Sequence, residues 1–289
     1  MPIEILGVGE VLWDMLPTGR ALGGAPANFV FHCRRLGHEA VLVSRVGTDP
    51  LGEELRAALA ERGLDTSLVQ QDDAHPTGTV DVALVGGQPA YTIHENVAWD
   101  FLQPDDGLDA LLANALVVCF GTLMQRHPAS RAAVQRLVRM ASQQALVVCD
   151  INLRQEYWSA EVLEHSLRLS RWAKLNDDEL SKLSALFGLS GSTESERLLA
   201  MRRRFGLELA ALTRGARGAL VQTDDEEATV AGERVEVADT VGAGDAFTAG
   251  LACGVLEGME IADAARLANR YAARVAGAVG GMPQVERPT

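Results

Sequence analysis

Two short runs constrain the fold more than anything else in this chain. Leu116-Val117-Val118-Cys119-Phe120 and Leu146-Val147-Val148-Cys149 are apolar at every position. A strand with one wet face alternates apolar and polar residues, so an unbroken apolar strand must be covered on both faces. Strands of that kind belong to a parallel sheet lying between two layers of helices. The neighbouring sequence has the matching rhythm. Strand-like residues 3–8 and 40–46 flank a helix expected over 26–36, where Phe29, Val30, Cys33 and Leu36 recur at helical spacing and Gly37 supplies a stop. Further helices are expected over 51–62, 128–143, 160–169, 243–257 and 261–279, a strand over 209–212 and a hairpin over 218–230. Thr193 and Glu196 have the spacing of a capping box.

Residues 77–96 break the rhythm. Val80, Val82 and Leu84 alternate with Thr79, Asp81 and Ala83, Gly86-Gly87-Gln88-Pro89 signals a turn, and alternation resumes at Tyr91. A hairpin with one wetter face has no place in a doubly covered sheet, so it reads as a small inserted sheet. The expected fold class is α/β, a three-layer αβα sandwich with a mostly parallel central sheet. One domain spanning 1–289 accounts for the length.

Composition excludes several roles. The formal net charge of -13 opposes nucleic-acid binding, which needs a basic footprint. No apolar stretch is long enough for a bilayer, so no membrane role is expected. Met1-Pro2-Ile3-Glu4-Ile5 lacks the charge and apolar run of a secretion leader. Cys33, Cys119, Cys149 and Cys253 are scattered without zinc-ligand spacing, which fits free thiols in a cytoplasmic protein.

The most informative segment for chemistry is Asp239-Thr240-Val241-Gly242-Ala243-Gly244-Asp245. Small residues lead into an apolar helix, a combination that brings backbone N–H groups and the positive helix end close to an anion. Asp245 falls in the first turn, where a carboxylate can take the proton of an attacking hydroxyl. Taken alone, the segment is equally a glycine-rich loop with an acidic helix cap. Walker A and dinucleotide-binding spacings are both absent.

The same segment resembles the C-terminal signature of the PfkB, or ribokinase-like, carbohydrate kinases. Other segments match that family in order: Gly23-Gly24-Ala25-Pro26-Ala27-Asn28, Val46-Gly47-Thr48-Asp49-Pro50-Leu51-Gly52, Asp150-Ile151-Asn152-Leu153-Arg154, Asn176-Asp177-Asp178-Glu179 and Thr213-Arg214-Gly215-Ala216-Arg217-Gly218. The resemblance implies Asp245 as catalytic base, with Gly242, Ala243 and Gly244 forming an anion hole. It places Asp14, Gly23, Gly24 and Asn28 around the sugar and Arg154 against phosphate. It puts Asn176, Thr213, Gly215, Gly218 and Asn269 beside ATP. Glu179 would reach Mg²⁺ through water, and Asp239 would serve a monovalent cation such as K⁺. Without the family, the residues have plainer readings. Asp14 is a solvated loop acid, Asn28 the polar side of a helix, Arg154 and Asn269 surface residues, Asn176 and Glu179 neighbours on an acidic helix start, and Thr213 to Gly218 a tight turn.

The resemblance also implies a β-sheet lid, from about 10–20 and 77–96. Its wetter face, with Asp81, Thr92, His94 and Asn96, is expected over the sugar. Its apolar face, with Val80, Val82 and Leu84, then calls for a second subunit, hence a homodimer. Ala25-Pro26 after the paired glycines, Gly9-Glu10-Val11-Leu12-Trp13-Asp14 and Asn96-Val97-Ala98-Trp99-Asp100-Phe101 are most like bacterial fructokinases. The implied reaction is phosphoryl transfer from ATP to the 6-hydroxyl of D-fructose. A kinase for 2-keto-3-deoxygluconate, another sugar or a nucleoside, and a non-catalytic sugar-binding protein on the same scaffold, are the alternatives.

Overall fold

A computed structural model of the chain describes residues 4–85, 88–103, 107–112, 114–141 and 145–288. The chain opens with β1 (Ile5–Val8), a hairpin of β2 (Leu12–Leu16) and β3 (Gly19–Gly23), and α1 (Ala25–Arg35). Next come β4 (Ala40–Gly47), α2 (Pro50–Glu61), β5 (Val69–Asp72), and a second hairpin of β6 (Thr79–Val85) and β7 (Gln88–Ile93). The central stretch holds α3 (Gly107–Leu112), β8 (Val117–Phe120), α4 (Pro128–Ala141), β9 (Leu146–Asp150), α5 (Ala160–Leu169), β10 (Trp172–Asn176), α6 (Asp177–Phe187) and α7 (Glu194–Phe205). It closes with β11 (Leu209–Thr213), β12 (Ala219–Gln222), β13 (Glu227–Val230), α8 (Ala243–Leu256) and α9 (Ile261–Ala276). The expected Gly86-Gly87 turn, strand residue 3 and helix end at 142–143 lie outside the described residues.

The main sheet runs β13-β12-β11-β10-β9-β8-β1-β4-β5 among the described residues. From β11 to β5 the strands are parallel, and β12 and β13 add an antiparallel edge. Alternate strand residues feed two cores. Leu6, Val118, Val147 and Leu175 pack with α3–α7; Ile5, Val117, Val148 and Trp172 pack with α1, α2, α8 and α9. This is the expected three-layer αβα sandwich. Chain order reverses at β1, which lies between β4 and β8, and the crevice outside the carboxyl ends of such strands is where an open α/β sheet binds ligands.

Two strands escape the hydrophobic pattern. Edge strand β5 is Val69-Gln70-Gln71-Asp72, polar at all but its first residue, and its middle pair is the part that meets solvent. Strand β10 carries Lys174 in an otherwise apolar run and is nonetheless buried.

Helix α8 is buried from Asp245 to Gly254. It meets α9 at small residues: a Cβ on Gly250 would stand 2.8 Å from Ala268 Cα, and one on Gly254 3.1 Å from Ala264 Cα.

The smaller sheet runs β3-β2-β6-β7. Its register corrects the expected facing of the lid. Asp14 is the partner of Val80, and Val80 of Ile93, so all three share one face. Asp81 and Thr92 occupy the opposite face and are exposed. The apolar face also needs less cover than expected. Leu12, Val80 and Ile93 are buried within the chain's own core against Val97 and Trp99, and Val82 is partly buried there. Towards the tip the same face is bare, with Leu16 and Tyr91 exposed. Arg126 fastens the base of this sheet. Its guanidinium donates to both Asp100 oxygens at 2.8 and 2.9 Å and to His94 O at 2.5 Å, and lies 4.0 Å from the Trp99 ring.

Local signals set these elements. Asp49 caps α2 by accepting from Gly52 N at 2.8 Å, and it also accepts from Thr77 N at 2.7 Å and Thr77 Oγ1 at 2.8 Å. One carboxylate thus starts a helix and anchors the entry to β6. Asp49→Ala is expected to lower the unfolding free energy by about 1–2 kcal/mol, the upper range for a helix cap, as read from urea denaturation.

Candidate active site

The glycine turn ahead of α8 lies at the carboxyl end of the sheet. Gly242 caps the helix at φ 78, a left-handed conformation that a side chain would strain, and a Cβ there would stand 2.6 Å from Gly281 O. No side chain caps α8. Ala243 N donates to Thr240 O at 3.3 Å, so this amide already has a partner in the turn. Asp239 braces the turn from outside, accepting from Val241 N and Gly280 N, both at 3.0 Å.

Asp245 is buried in the first turn of α8, and its Oδ2 accepts from Asn28 Nδ2 at 2.8 Å. Asn28 is therefore buried against the carboxylate and is no solvated polar face of α1. Burial pushes the Asp245 carboxyl up to about 6, and the charge of Asp150 adds to the rise. Lys174, the Asn28 bond and Arg154 oppose it.

Acidic groups gather on the crevice side. Asp14, on β2, is pushed up to about 6, chiefly by burial; Arg154 opposes the shift and Asp239 adds to it. The carboxylate of Asp14 fills the place where a Cβ on Gly23 would stand, at 2.5 Å from Oδ2. Glu10, in the link from β1 to β2, is buried and pushed up to about 7 by desolvation. Its Oε1 accepts weakly from Ala25 N at 3.4 Å at the start of α1, and Oε2 has no hydrogen-bond partner among the described residues. Arg154 is exposed, and its positive charge acts on Glu10, Asp14 and Asp245 together. The structure thus gathers Asp14, Gly23, Gly24, Asn28, Arg154 and the Gly242–Asp245 turn in one place.

The other expected residues lie along the same sheet end. Asn176 and Thr213 end neighbouring strands as register partners. Asn176 and Glu179 differ from the expected pair on one helix face: they form a capping box. Asn176 Oδ1 accepts from Glu179 N at 2.9 Å, and Glu179 Oε2 from Asn176 N at 2.8 Å. Glu179 Oε1 accepts from Leu153 N at 2.8 Å, so this buried carboxyl joins the loop after β9 to the start of α6. Gly215 and Gly218 bound a short turn between β11 and β12. Asn269 is buried and donates to Ala231 O at 2.9 Å, tying α9 to the segment after β13.

Comparison with known proteins identifies the family. The model of the pfkB family carbohydrate kinases matches residues 17–287. The chain belongs to that family. The fructokinase of Klebsiella pneumoniae is 30% identical over 265 residues, 87% of this chain and 84% of the relative. An ATP-dependent 6-phosphofructokinase of Thermoanaerobacterium thermosaccharolyticum is 27% identical over 304 residues, covering 98% and 92%. The crystal structure of Vibrio cholerae fructokinase with fructose, ADP and calcium superposes with a TM-score of 0.81 at 27% identity, covering 98% of this chain and 96% of that one.

Sequence alone gave no separate role to Lys174, Asp150 and Thr248, which gather near Asp245. Lys174 Nζ lies 3.2 Å from each oxygen of Asp150, and Thr248 Oγ1 donates to Asp150 Oδ2 at 2.9 Å. A single charge inside the apolar run Trp172-Ala173-Lys174-Leu175 was the available signal for the first. Glu10 also gave a signal, as an acid at the carboxyl end of β1.

The raised Asp245 carboxyl has a cost in stability. A group whose folded value exceeds its ordinary 3.8 contributes stability below that value, and this is lost as pH rises through about 6. Asp245→Asn removes the buried charge while keeping the shape. The variant is expected to melt no lower than wild type at pH 8, with any advantage shrinking as pH falls towards 5. Calorimetry across that range checks it.

Proposed function

We propose that this carbohydrate kinase transfers the γ-phosphoryl group of ATP to the 6-hydroxyl of D-fructose, with Asp245 as the base. The observation that carries the reading is the Asp245 carboxylate at the N-terminus of α8, held through one oxygen by Asn28. The other oxygen takes the acceptor's proton as the hydroxyl attacks phosphorus. In the Gly242–Gly244 turn, the amides of the two glycines and the positive helix end would face the transferring group, while Ala243 N stays with Thr240 O. Asp14 accepts from paired sugar hydroxyls, with the close backbone of Gly23 and Gly24 beneath the ring. Arg154 meets phosphate at the rim. Asn176, Thr213, Gly215, Gly218 and Asn269 border the nucleotide.

The choice of a neutral sugar has physical support. Asp14 and Asp245 stand on the crevice side, and above about pH 6 a phosphorylated sugar would enter against their charge. The fructose-like segments of the sequence and the fructokinase relatives favour fructose among neutral sugars.

Among the described residues no group of three His, Cys, Asp or Glu side chains is arranged to hold a metal. Both Glu179 oxygens already accept backbone amides, which suits a hard, hydrated cation met through water. Mg²⁺ would arrive with the triphosphate and neutralise its charge, with Glu179 holding the water shell. Asp239, bonded to the amides on both sides of the turn, is where K⁺ would bear on the anion hole. The four cysteines are buried free thiols, which supports a cytoplasmic setting. The bare lid tip with Leu16 and Tyr91 is the surface for a homodimer, and sedimentation of wild type against Leu16→Glu tests it.

Coupled ADP detection over a sugar panel tests the reading. Fructose is expected to give the highest kcat/KM. A preference for 2-keto-3-deoxygluconate or a nucleoside would move the substrate within the family. Absence of turnover with every sugar would leave a binding protein. Asp245→Asn should lower kcat by about two to four orders of magnitude. Asp14→Ala should raise the sugar KM by about 10- to 100-fold, the loss of a charged hydrogen-bond partner, with ATP KM nearly unchanged.

The pH dependence follows from the base. Asp245 must be ionised to accept a proton, so kcat/KM for the sugar should fall as pH drops through about 6, not near its ordinary 3.8. A flat profile from pH 7 to 5 would remove Asp245 from that role.

A further inference from the structure

Lys174 stands where a lysine is costly. Its strand neighbours face apolar side chains, and the residue itself is buried. A small cavity beside it is lined by Val148, Trp172, Leu209, Ala211, Thr248 and Leu251. Its Nζ lies 2.7 Å from the point where a Cβ on Gly244 would be. The ammonium therefore occupies the space that the glycine leaves empty, directly against the first turn of α8. On its own that position is unfavourable, because the helix end is itself positive. Asp150 offsets it, with both oxygens 3.2 Å from Nζ. Asp150 also accepts from Thr248 Oγ1 at 2.9 Å, one helical turn beyond Gly244 and itself 3.1 Å from Gly244 O. A positive charge buried against a positive helix end becomes favourable once an anion sits on that turn.

We propose that the buried Asp150–Lys174 pair is the positioning and charge-balancing element of the phosphoryl-transfer site: Lys174 carries the positive charge set beneath the glycine turn, and Asp150 anchors it and, through Thr248, the start of α8. The inference rests on the kinase reading above and extends it to two residues outside the sugar and nucleotide contacts. They act through the turn and the base, as positioning residues.

The groups that act on Asp245 come from several elements around it. Glu10 follows β1, Cys119 is on β8, Asp150 ends β9, Arg154 lies in the loop after it and Lys174 is on β10, while the neutral amide of Asn28 on α1 supplies a hydrogen bond. Within this set Asp150 and Lys174 act on Asp245 in opposite senses, Asp150 against its ionised form and Lys174 for it. That opposition gives a test which simple structural damage would not mimic.

The experiment measures kcat/KM for the sugar against pH in wild type, Lys174→Met, Lys174→Arg and Asp150→Asn. The Asp245 carboxyl is titrated in parallel by infrared difference spectra against Asp245→Asn in each background. Lys174→Met should lower kcat at least about tenfold and move the acid limb up by about one pH unit, the size expected for a close opposite charge. Asp150→Asn should move the limb down. Lys174→Arg should keep it near the wild-type position. Shifts in the same direction for Lys174→Met and Asp150→Asn, or no shift in either, overturn the proposal. Should Lys174→Met fail to fold, Asp150→Asn decides alone: an unmoved or raised limb overturns it. The infrared titration needs no turnover. If no sugar is phosphorylated, the kinase reading fails, and opposite spectral shifts still uphold the charge-balancing role.

Discussion

The bond from Asn28 to Asp245 joins helices separated by 217 positions in sequence. α1 leaves the small sheet through β3, while α8 begins at the glycine turn, and this bond fixes one against the other. A neutral amide is well suited to it. It satisfies one oxygen of a buried carboxylate without adding a compensating charge, so the carboxylate keeps a proton affinity useful near neutral pH. Gly281 leaves the room: a Cβ there would stand 2.7 Å from Asn28 Oδ1. The loop that Asp239 braces is thus also the wall behind Asn28.

Electrostatics explains why the site is arranged in layers. The chain carries a formal net charge of -13, and its nucleotide partner is an anion. Long-range attraction cannot bring the two together, so the favourable field must be local. The helix end at the turn, Arg154 at the rim and Lys174 beneath provide it. Facing them, the buried carboxyls of Glu10 and Asp245 and the half-buried Asp14 are each lifted towards neutrality by desolvation. Under the proposed reading, the carboxyls would meet the sugar hydroxyls and the positive groups the phosphate.

Much of this was legible before any coordinates. The apolar runs at β8 and β9 announced a doubly covered sheet because no half-exposed strand has that pattern. The small residues before α8 announced the turn because few other segments bring backbone so close to an anion. What stayed hidden has physical causes. Lys174 broke the apolar run of β10, and only its tertiary partner Asp150 makes the strand burial acceptable. Asn176 and Glu179 are three apart, a spacing shared by a common helix face and by a capping box, and the cap prevailed because Asn176 precedes the helix. In the lid, alternation identified two faces but not their direction. Pairing of Asp14 with Val80 settled that, and no local signal encodes a contact between strands so far apart in sequence.

The contacts of Gly250 with Ala268 and Gly254 with Ala264 act as a ruler for the reaction. Each residue advances an α-helix by about 1.5 Å, and in-line transfer tolerates errors smaller than that. Two helices meshed at backbone distance cannot slide by a fraction of a step without collision. The axial position of Asp245 is therefore set roughly one and a half to two and a half turns along the helix, inside the core. A larger residue at either alanine would displace Asp245 from a distance, through the core.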